Sequence, residues 1–314
     1  MQTPPVDATD ISGVVPILVT PFTADGEVDG DQMDRQIDFL ASAGVGWVGF
    51  GFGSEVPRLD MDELSGLMSR VVRRAGDRLA VVGNAEMTSV RAGITAVRRV
   101  AATGAAAAMV RPSGLGGLSQ DTLYAAIAQV AREGGLPVVV QDAPQNTLVE
   151  LSAETLARLL RLPEVVAVKV EPPAPAPKIS ELIRHLEGAP GVVIGGLGGA
   201  EWLHELERGA TATMPGPALP EIFAGIARRH AEGDRAGAIA LVSRVLPLIV
   251  LGNRGMDTFL TIQKHVLTRR GVLDGATLRE PHAVIEDRLL GEVDELLEAL
   301  DLLALCESLA KETT

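Results

Sequence analysis

The strongest constraint in this chain is a rhythm. Short β-branched runs recur eight times, and each is followed by a longer stretch with helical period. The runs are Val14–Phe22, Trp47–Gly51, Leu79–Ala85, Ala106–Pro112, Pro137–Ala143, Val165–Glu171, Gly191–Gly196 and Ala210–Gly216. The amphipathic stretches are Asp31–Ala43, Met61–Ala75, Val90–Ala102, Thr122–Glu133, Ala153–Leu162, Ile179–Leu186, Ala200–Arg208 and Glu221–Glu232. Eight alternating units of about 20 to 33 residues predict an α/β fold, a (β/α)₈ TIM barrel. The strands are nearly continuous apolar runs, as strands buried on both faces must be. Gly44, Gly104, Gly134 and Gly209 stand where helices end before the next strand, the C-cap use of glycine. A doubly wound sheet would want a glycine-rich fingerprint at the first strand–helix turn, and TPFTADGE lacks one.

From about Arg235 the pattern becomes helical only, with stretches Ala236–Leu251, Met256–Arg270 and Ala283–Ala310. The expected organisation is therefore a barrel over 11–234 and a helical extension over 235–314 packed on it. The segment Pro172–Pro177 is expected to be a short stiff loop after the sixth strand.

Charge and composition narrow the function. A net charge of −13 argues against nucleic acid and anionic membrane as partners, and 3% aromatic residues leave few platforms for base stacking. The first ten residues lack the basic and apolar regions of a signal peptide. No apolar run approaches the roughly 20 residues that span a bilayer; the longest, Val245 to Leu251, contains Pro247. Cys306 is the only cysteine, which excludes an intrachain disulfide and fits a reducing, cytoplasmic setting. The five histidines form no H-x-H or H-x₃-H pair, so no metal is expected, and no G-x-S-x-G elbow occurs.

One residue breaks the apolar pattern in an informative place. The run VVAVKV puts Lys169 inside the sixth strand, and alternation gives Ala167, Lys169 and Glu171 one face and the valines the other. With the valines against the helical ring, Lys169 and Glu171 point into the barrel near its C-terminal end, where barrel active sites lie. Burying an ammonium is costly, so such a lysine is paired or held neutral, and a neutral lysine attacks ketones. A structural lysine paired with a barrel carboxylate is the competing expectation. An ionised Glu171 would favour the charged lysine and oppose its activation.

With GVVPILVTPF at the start, GFGSE (Gly51–Glu55) after the second strand, and Lys169, the chain resembles the dihydrodipicolinate synthase / N-acetylneuraminate lyase superfamily of Schiff-base aldolases and dehydratases. The resemblance runs from about Gly13 to the C-terminal helices. It implies a TIM barrel with three C-terminal helices, no metal or other cofactor, a small 2-keto acid substrate, and a homo-oligomer, commonly a tetramer, otherwise a dimer. It also implies that backbone amides at Gly53 and Ser54 hold the keto-acid carboxylate, and that Gly195 and Gly196 line the pocket.

The departures from the family pattern point to a branch. Members acting on pyruvate usually carry G-T/S-T-G-E where this chain has Gly51-Phe52-Gly53-Ser54-Glu55. Most have a proton-relaying tyrosine in a Y-N-x-P setting; here the segment is Gln141-Asp142-Ala143-Pro144. Asn146 falls near an arginine that synthases use for aspartate semialdehyde. QDAP, K-V-E at Lys169–Glu171 and Asn253-Arg254 are instead similar to 2-keto-3-deoxy-L-arabonate dehydratases. In that chemistry Lys169 forms the imine, and Glu171 first, Glu55 second, are candidates for the base at C3. Gln141 is a candidate to orient a hydroxyl or a water, and Arg254 to meet an anionic substrate. A pyruvate-dependent aldolase and a binding barrel without turnover stay open. So does a phosphosugar enzyme built on the glycine run after the seventh strand, which would leave Lys169 unexplained.

Overall fold

The computed structural model describes residues 11–312. Eight parallel strands form the sheet: β1 (Gly13–Val14), β2 (Trp47–Gly49), β3 (Ala80–Met87), β4 (Ala107–Pro112), β5 (Val138–Asp142), β6 (Val165–Val170), β7 (Val192–Gly195) and β8 (Ala212–Thr213). From β2 onward each pairs with the next in sequence, β1 pairs with β8, and a parallel bridge between Ile17 and Gly49 joins the two ends into a TIM barrel. The first strand is shorter than its apolar run predicts. Pro16 and Pro21 carry no N–H, so the segment holds its neighbours through the bridge and single bonds such as Leu18 N to Gly49 O at 2.9 Å.

Between the strands run α1 (Gly30–Ser42), α2 (Met61–Ala75), α3 (Val90–Ala102), α4 (Gln120–Gly134), α5 (Pro144–Thr147), α6 (Ala153–Leu160), α7 (Pro175–Leu186), α8 (Trp202–Leu206) and α9 (Pro220–Ala231). Their starts are written locally. Asp29, Asp60, Ser89, Ser119 and Ser152 cap α1, α2, α3, α4 and α6 through their side chains, each cap worth about 1 kcal/mol. Gly44, Gly104 and Gly209 adopt the left-handed conformation expected of them, whereas Gly134 is the last residue of α4 and Gly135 makes the turn. The proline-rich segment also departs from expectation. Pro175 opens α7 instead of belonging to a loop, because a first-turn proline forfeits no helical bond.

Two apolar layers result. Inside the barrel, Val15, Trp47, Val82, Met109, Val139, Ala167 and Ile194 pack together. Outside, Val168 and Val170 join the larger core between sheet and helices. This split puts Ala167 inward and its neighbour Val168 outward, and so fixes the direction of the strand that carries Lys169.

The chain ends in α10 (Arg235–Gly252), α11 (Met256–Arg269), α12 (Leu289–Ala299) and α13 (Leu302–Lys311). The leucine-rich stretch is two helices, not one: Asp301, at φ 48°, breaks it. Among the described residues α10 alone is long and apolar enough to cross a membrane by length and composition, with mean hydropathy 1.7. The sequence expectation undercounted it, because Pro247 sits inside the helix without ending it. Ala238, Leu241, Val245 and Leu248 bury one face of α10 in the core, which includes Ile222 and Ile226 of α9. The turn between α10 and α11 lies over the C-terminal end of the barrel.

Candidate active site

A cavity of about 570 Å³ opens at that end. Lys169 and Glu171 line it from β6 and the residue beyond it, and Gln141 from β5 beside them, in register with Lys169. Phe52 and Gly53 after β2 and Met214 after β8 form further walls. Asn253, Met256 and Phe259 descend from the α10–α11 turn, and Gln145 and Asn146 come from α5.

Lys169 is 4% exposed. Its Nζ lies 2.9 Å from Glu171 Oε2. The same oxygen accepts a hydrogen bond from Gln141 Nε2 at 2.7 Å, and Oε1 accepts from the Leu197 amide at 3.1 Å. Glu171 thus gathers three donors, which fix the direction of its carboxylate. Leu197 reaches it from a left-handed backbone, φ 50°, an unusual conformation for a leucine. A Cβ on Gly196 would lie 2.0 Å from Glu171 Oε1, so glycine there leaves the carboxylate its place. Gln141 is buried, and its Oε1 has no hydrogen-bond partner. Its amide orientation is set by the bond to Glu171, which leaves one acceptor free beside Lys169.

Several expected site residues lie elsewhere. Glu55 does not reach the cavity. Its backbone turns through φ 56°, Oε1 pairs with Lys264 Nζ, and Oε2 accepts from Arg58 Nη1 at 2.9 Å. It ties the loop after β2 to α11 and is not available as a base. Arg254 points to solvent, 60% exposed and 4.0 Å from Glu292, while its neighbour Asn253 lines the cavity. One residue at a helix end turns the side chain by about 100°. Ser54 is spent internally: its amide donates to Gly51 O at 2.9 Å and its hydroxyl to Leu18 O at 2.6 Å. Gly53 does line the cavity, and a Cβ there would sit 3.2 Å from Ile17. Gly195 makes room behind the sheet, where the Glu205 carboxyl would be 1.8 Å from its Cβ.

Glu205 is a functional-looking group that sequence reasoning passed over. It is fully buried on α8, both carboxyl oxygens lack partners, and burial pushes its pKa up to about 8. Lys264 and Phe259 were also missed, since both come from α11, distant in sequence, and Asn253 had been noted only as half of the Asn253-Arg254 motif. Asp142 faces outward, as strand alternation requires, and its Oδ2 lies 2.8 Å from Lys178 Nζ. Among the described residues no group of three His, Cys, Asp or Glu side chains could hold a metal.

Comparison with known proteins agrees with this architecture. The family model described as the dihydrodipicolinate synthetase family matches residues 10–300. The chain is 33% identical over 241 residues to a 4-hydroxy-tetrahydrodipicolinate synthase of Sorangium cellulosum, covering 76% of this chain and 80% of that one. It is 30% identical over 301 residues to an L-2-keto-3-deoxyarabonate dehydratase of Azospirillum brasilense, covering 93% and 96%. The crystal structure of a dihydrodipicolinate synthase from Rhodopseudomonas palustris superposes with a TM-score of 0.86 at 27% identity, over 94% of this chain and 99% of that one. With the barrel, the lysine of the sixth strand and a family match over nearly its whole length, this chain belongs to the dihydrodipicolinate synthetase family.

Proposed function

We propose that the protein is a Schiff-base lyase that dehydrates a small 2-keto-3-deoxy sugar acid such as 2-keto-3-deoxy-L-arabonate. The observation that carries this is the buried Lys169–Glu171 pair opening on a cavity whose other polar side chains are neutral amides. The amino group attacks the C2 ketone, water leaves, and an iminium forms. Glu171, 2.9 Å from Nζ, takes up the proton that the ammonium must lose before attack. The iminium acidifies C3. Glu171 is the carboxylate nearest for that proton as well, once the first has left with the departing water. The enamine then expels the C4 hydroxyl, which takes a proton and leaves as water. Hydrolysis of the remaining imine frees Lys169 and gives a 2-keto acid that carries an aldehyde after tautomerisation.

The cavity lining favours dehydration over condensation with a second acidic substrate. No arginine lines it among the described residues, and Gln145, Asn146 and Asn253 suit hydroxyl groups. The Azospirillum relative, matched over 93% of this chain, supports the same choice. The Sorangium relative makes a 4-hydroxy-tetrahydrodipicolinate synthase the rival. Two assays separate them: conversion of 2-keto-3-deoxy-L-arabonate to 2-ketoglutarate semialdehyde, and condensation of pyruvate with aspartate semialdehyde. Turnover of the sugar acid alone is expected. Condensation alone would overturn the proposal, and binding with neither turnover would favour a non-catalytic barrel.

Self-association belongs to the same proposal. Ile239, Leu246 and Val250 leave an apolar strip exposed on α10, a surface suited to a second copy of the chain. Light scattering after size exclusion is expected to give a dimer or tetramer, and a monomer would contradict it.

A further inference from the structure

Behind the active site, on the helix side of β7, lies a carboxyl that the proposed reaction does not use. Glu205 of α8 is fully buried and does not line the Lys169 cavity. Both of its oxygens lack hydrogen-bond partners among the described residues. An unpartnered buried carboxyl is costly to keep, and a leucine would fill the space without that cost. Two consecutive glycines bring it close to the chemistry. Successive strand residues point to opposite faces. At Gly195, where β7 ends, a Cβ would stand 1.8 Å from Glu205 Oε2; at Gly196 it would stand 2.0 Å from Glu171 Oε1. Each carboxyl therefore occupies the space of a missing side chain, and the two α-carbons between them are one peptide apart, about 3.8 Å.

The surroundings of Glu205 oppose its charge. Burial, before any neighbour, pushes its pKa up to about 8. The Gly196 amide pulls against this, Glu201 and Glu171 add to it, and Lys169 pulls back by less than Glu171 adds. On the helices packed against α8, the enclosed charges are engaged elsewhere: Lys178 of α7 with Asp142, and Glu221 of α9 with Arg270. Arg235 of α10 meets Glu207 at the surface. On β8, Thr213 stands in register with Gly195, and its buried hydroxyl also lacks a partner. A charge formed on Glu205 therefore acts across the strand, little screened.

Resting on the Schiff-base reading above, we propose that Glu205 is a positioning residue for proton abstraction, acting on Glu171 from behind the Gly195–Gly196 pair. In that step the C3–H bond breaks and its proton joins the Glu171 carboxylate. Its electron pair makes the C2=C3 bond of the enamine and neutralises the iminium. The charge of Glu171 thus disappears as the proton arrives. An ionised Glu205 repels that charge before the step and not after it, so ionised Glu205 lowers the barrier and protonated Glu205 does not. The opposite pull, on the positive charge at Lys169, is the weaker of the two.

The test follows exchange of the C3 protons of pyruvate in heavy water by NMR, which reads proton abstraction on the imine without dehydration. Full-length wild type, Glu205→Gln and Glu205→Asp are compared from pH 6 to 9. Glu205→Gln cannot ionise, so the ratio of wild-type to variant exchange rate should rise with pH, about three- to tenfold in all. The midpoint of that rise should lie near 8, and half-saturating pyruvate should not follow it. Glu205→Asp should recover most of the difference. Infrared difference titration of wild type, which needs no variant, should show a protonated carboxyl that is lost near pH 8. A ratio that stays flat or falls with pH, while wild type exchanges, would overturn this proposal and leave the Schiff-base reading standing. Absence of that carboxyl band would also overturn it. No exchange by folded wild type at any pH would overturn both.

Discussion

Among the described residues two lysine–glutamate pairs are buried, one inside the barrel and one between the loop after β2 and α11, and they differ in what lies beside them. Lys264, on α11, is fully buried and bonds to Glu55 Oε1 and to Thr277 O at 2.6 Å. Burial pushes its pKa down and Glu55 pulls against that shift. Lys169 has one carboxylate at 2.9 Å and the wall of a 570 Å³ cavity on its other side. The first pair is sealed, with donors and acceptors matched; the second faces space that a ketone can enter. Burial of a charged pair therefore says little about function. Access does, and the two lysines let that statement be tested within one molecule.

The largest expected effect is on chemistry alone. Lys169→Met should reduce turnover of the sugar acid by at least about a thousandfold and leave the thermal midpoint nearly unchanged, measured by product assay and calorimetry. Glu171→Gln should lower kcat by roughly 10²- to 10⁴-fold with little change in KM, the split expected of a proton-transfer group. Lys264→Met should do the reverse: about 3 kcal/mol less stability in urea titrations, because Glu55 loses its main partner, with kcat per folded molecule unchanged.

A smaller effect concerns Glu205. In the unfolded chain its carboxyl titrates near 4.5, and in the folded protein near 8. Between those values the folded state holds the extra proton, so this group makes stability fall as pH rises from 4.5 to 8, by on the order of 1 kcal/mol per pH unit. Glu205→Gln should flatten that slope in chemical denaturation measured at pH 5, 6.5 and 8. An unchanged slope would mean that another group sets it. Least of all should Arg254→Ala matter: being exposed, it should shift stability by under about 0.5 kcal/mol and leave KM as it was.

How much of this was visible in the linear sequence depended on distance. Lys169 and Glu171 are two residues apart on one strand, so alternation alone predicted a shared face, and Gln141 followed from the neighbouring strand. Glu55 was harder. Its partner Lys264 lies 209 positions away, and nothing local distinguishes a glutamate that closes a loop from one that enters a cavity. The α10–α11 turn was recognised from Asn253-Arg254, but which of the two faces inward depends on where the helix ends, and one residue decides it. The single leucine-rich helix became two because Asp301 adopts a left-handed backbone that periodicity cannot reveal.

The central claim is that Lys169, and not Lys264, is the reacting amine. Borohydride reduction of the protein with pyruvate, followed by peptide mass spectrometry, tests it most directly. The account predicts one reduced adduct per chain, on the peptide containing Lys169, and none on wild type without the keto acid or on Lys169→Met. An adduct on Lys264, or none on folded wild type, would contradict it.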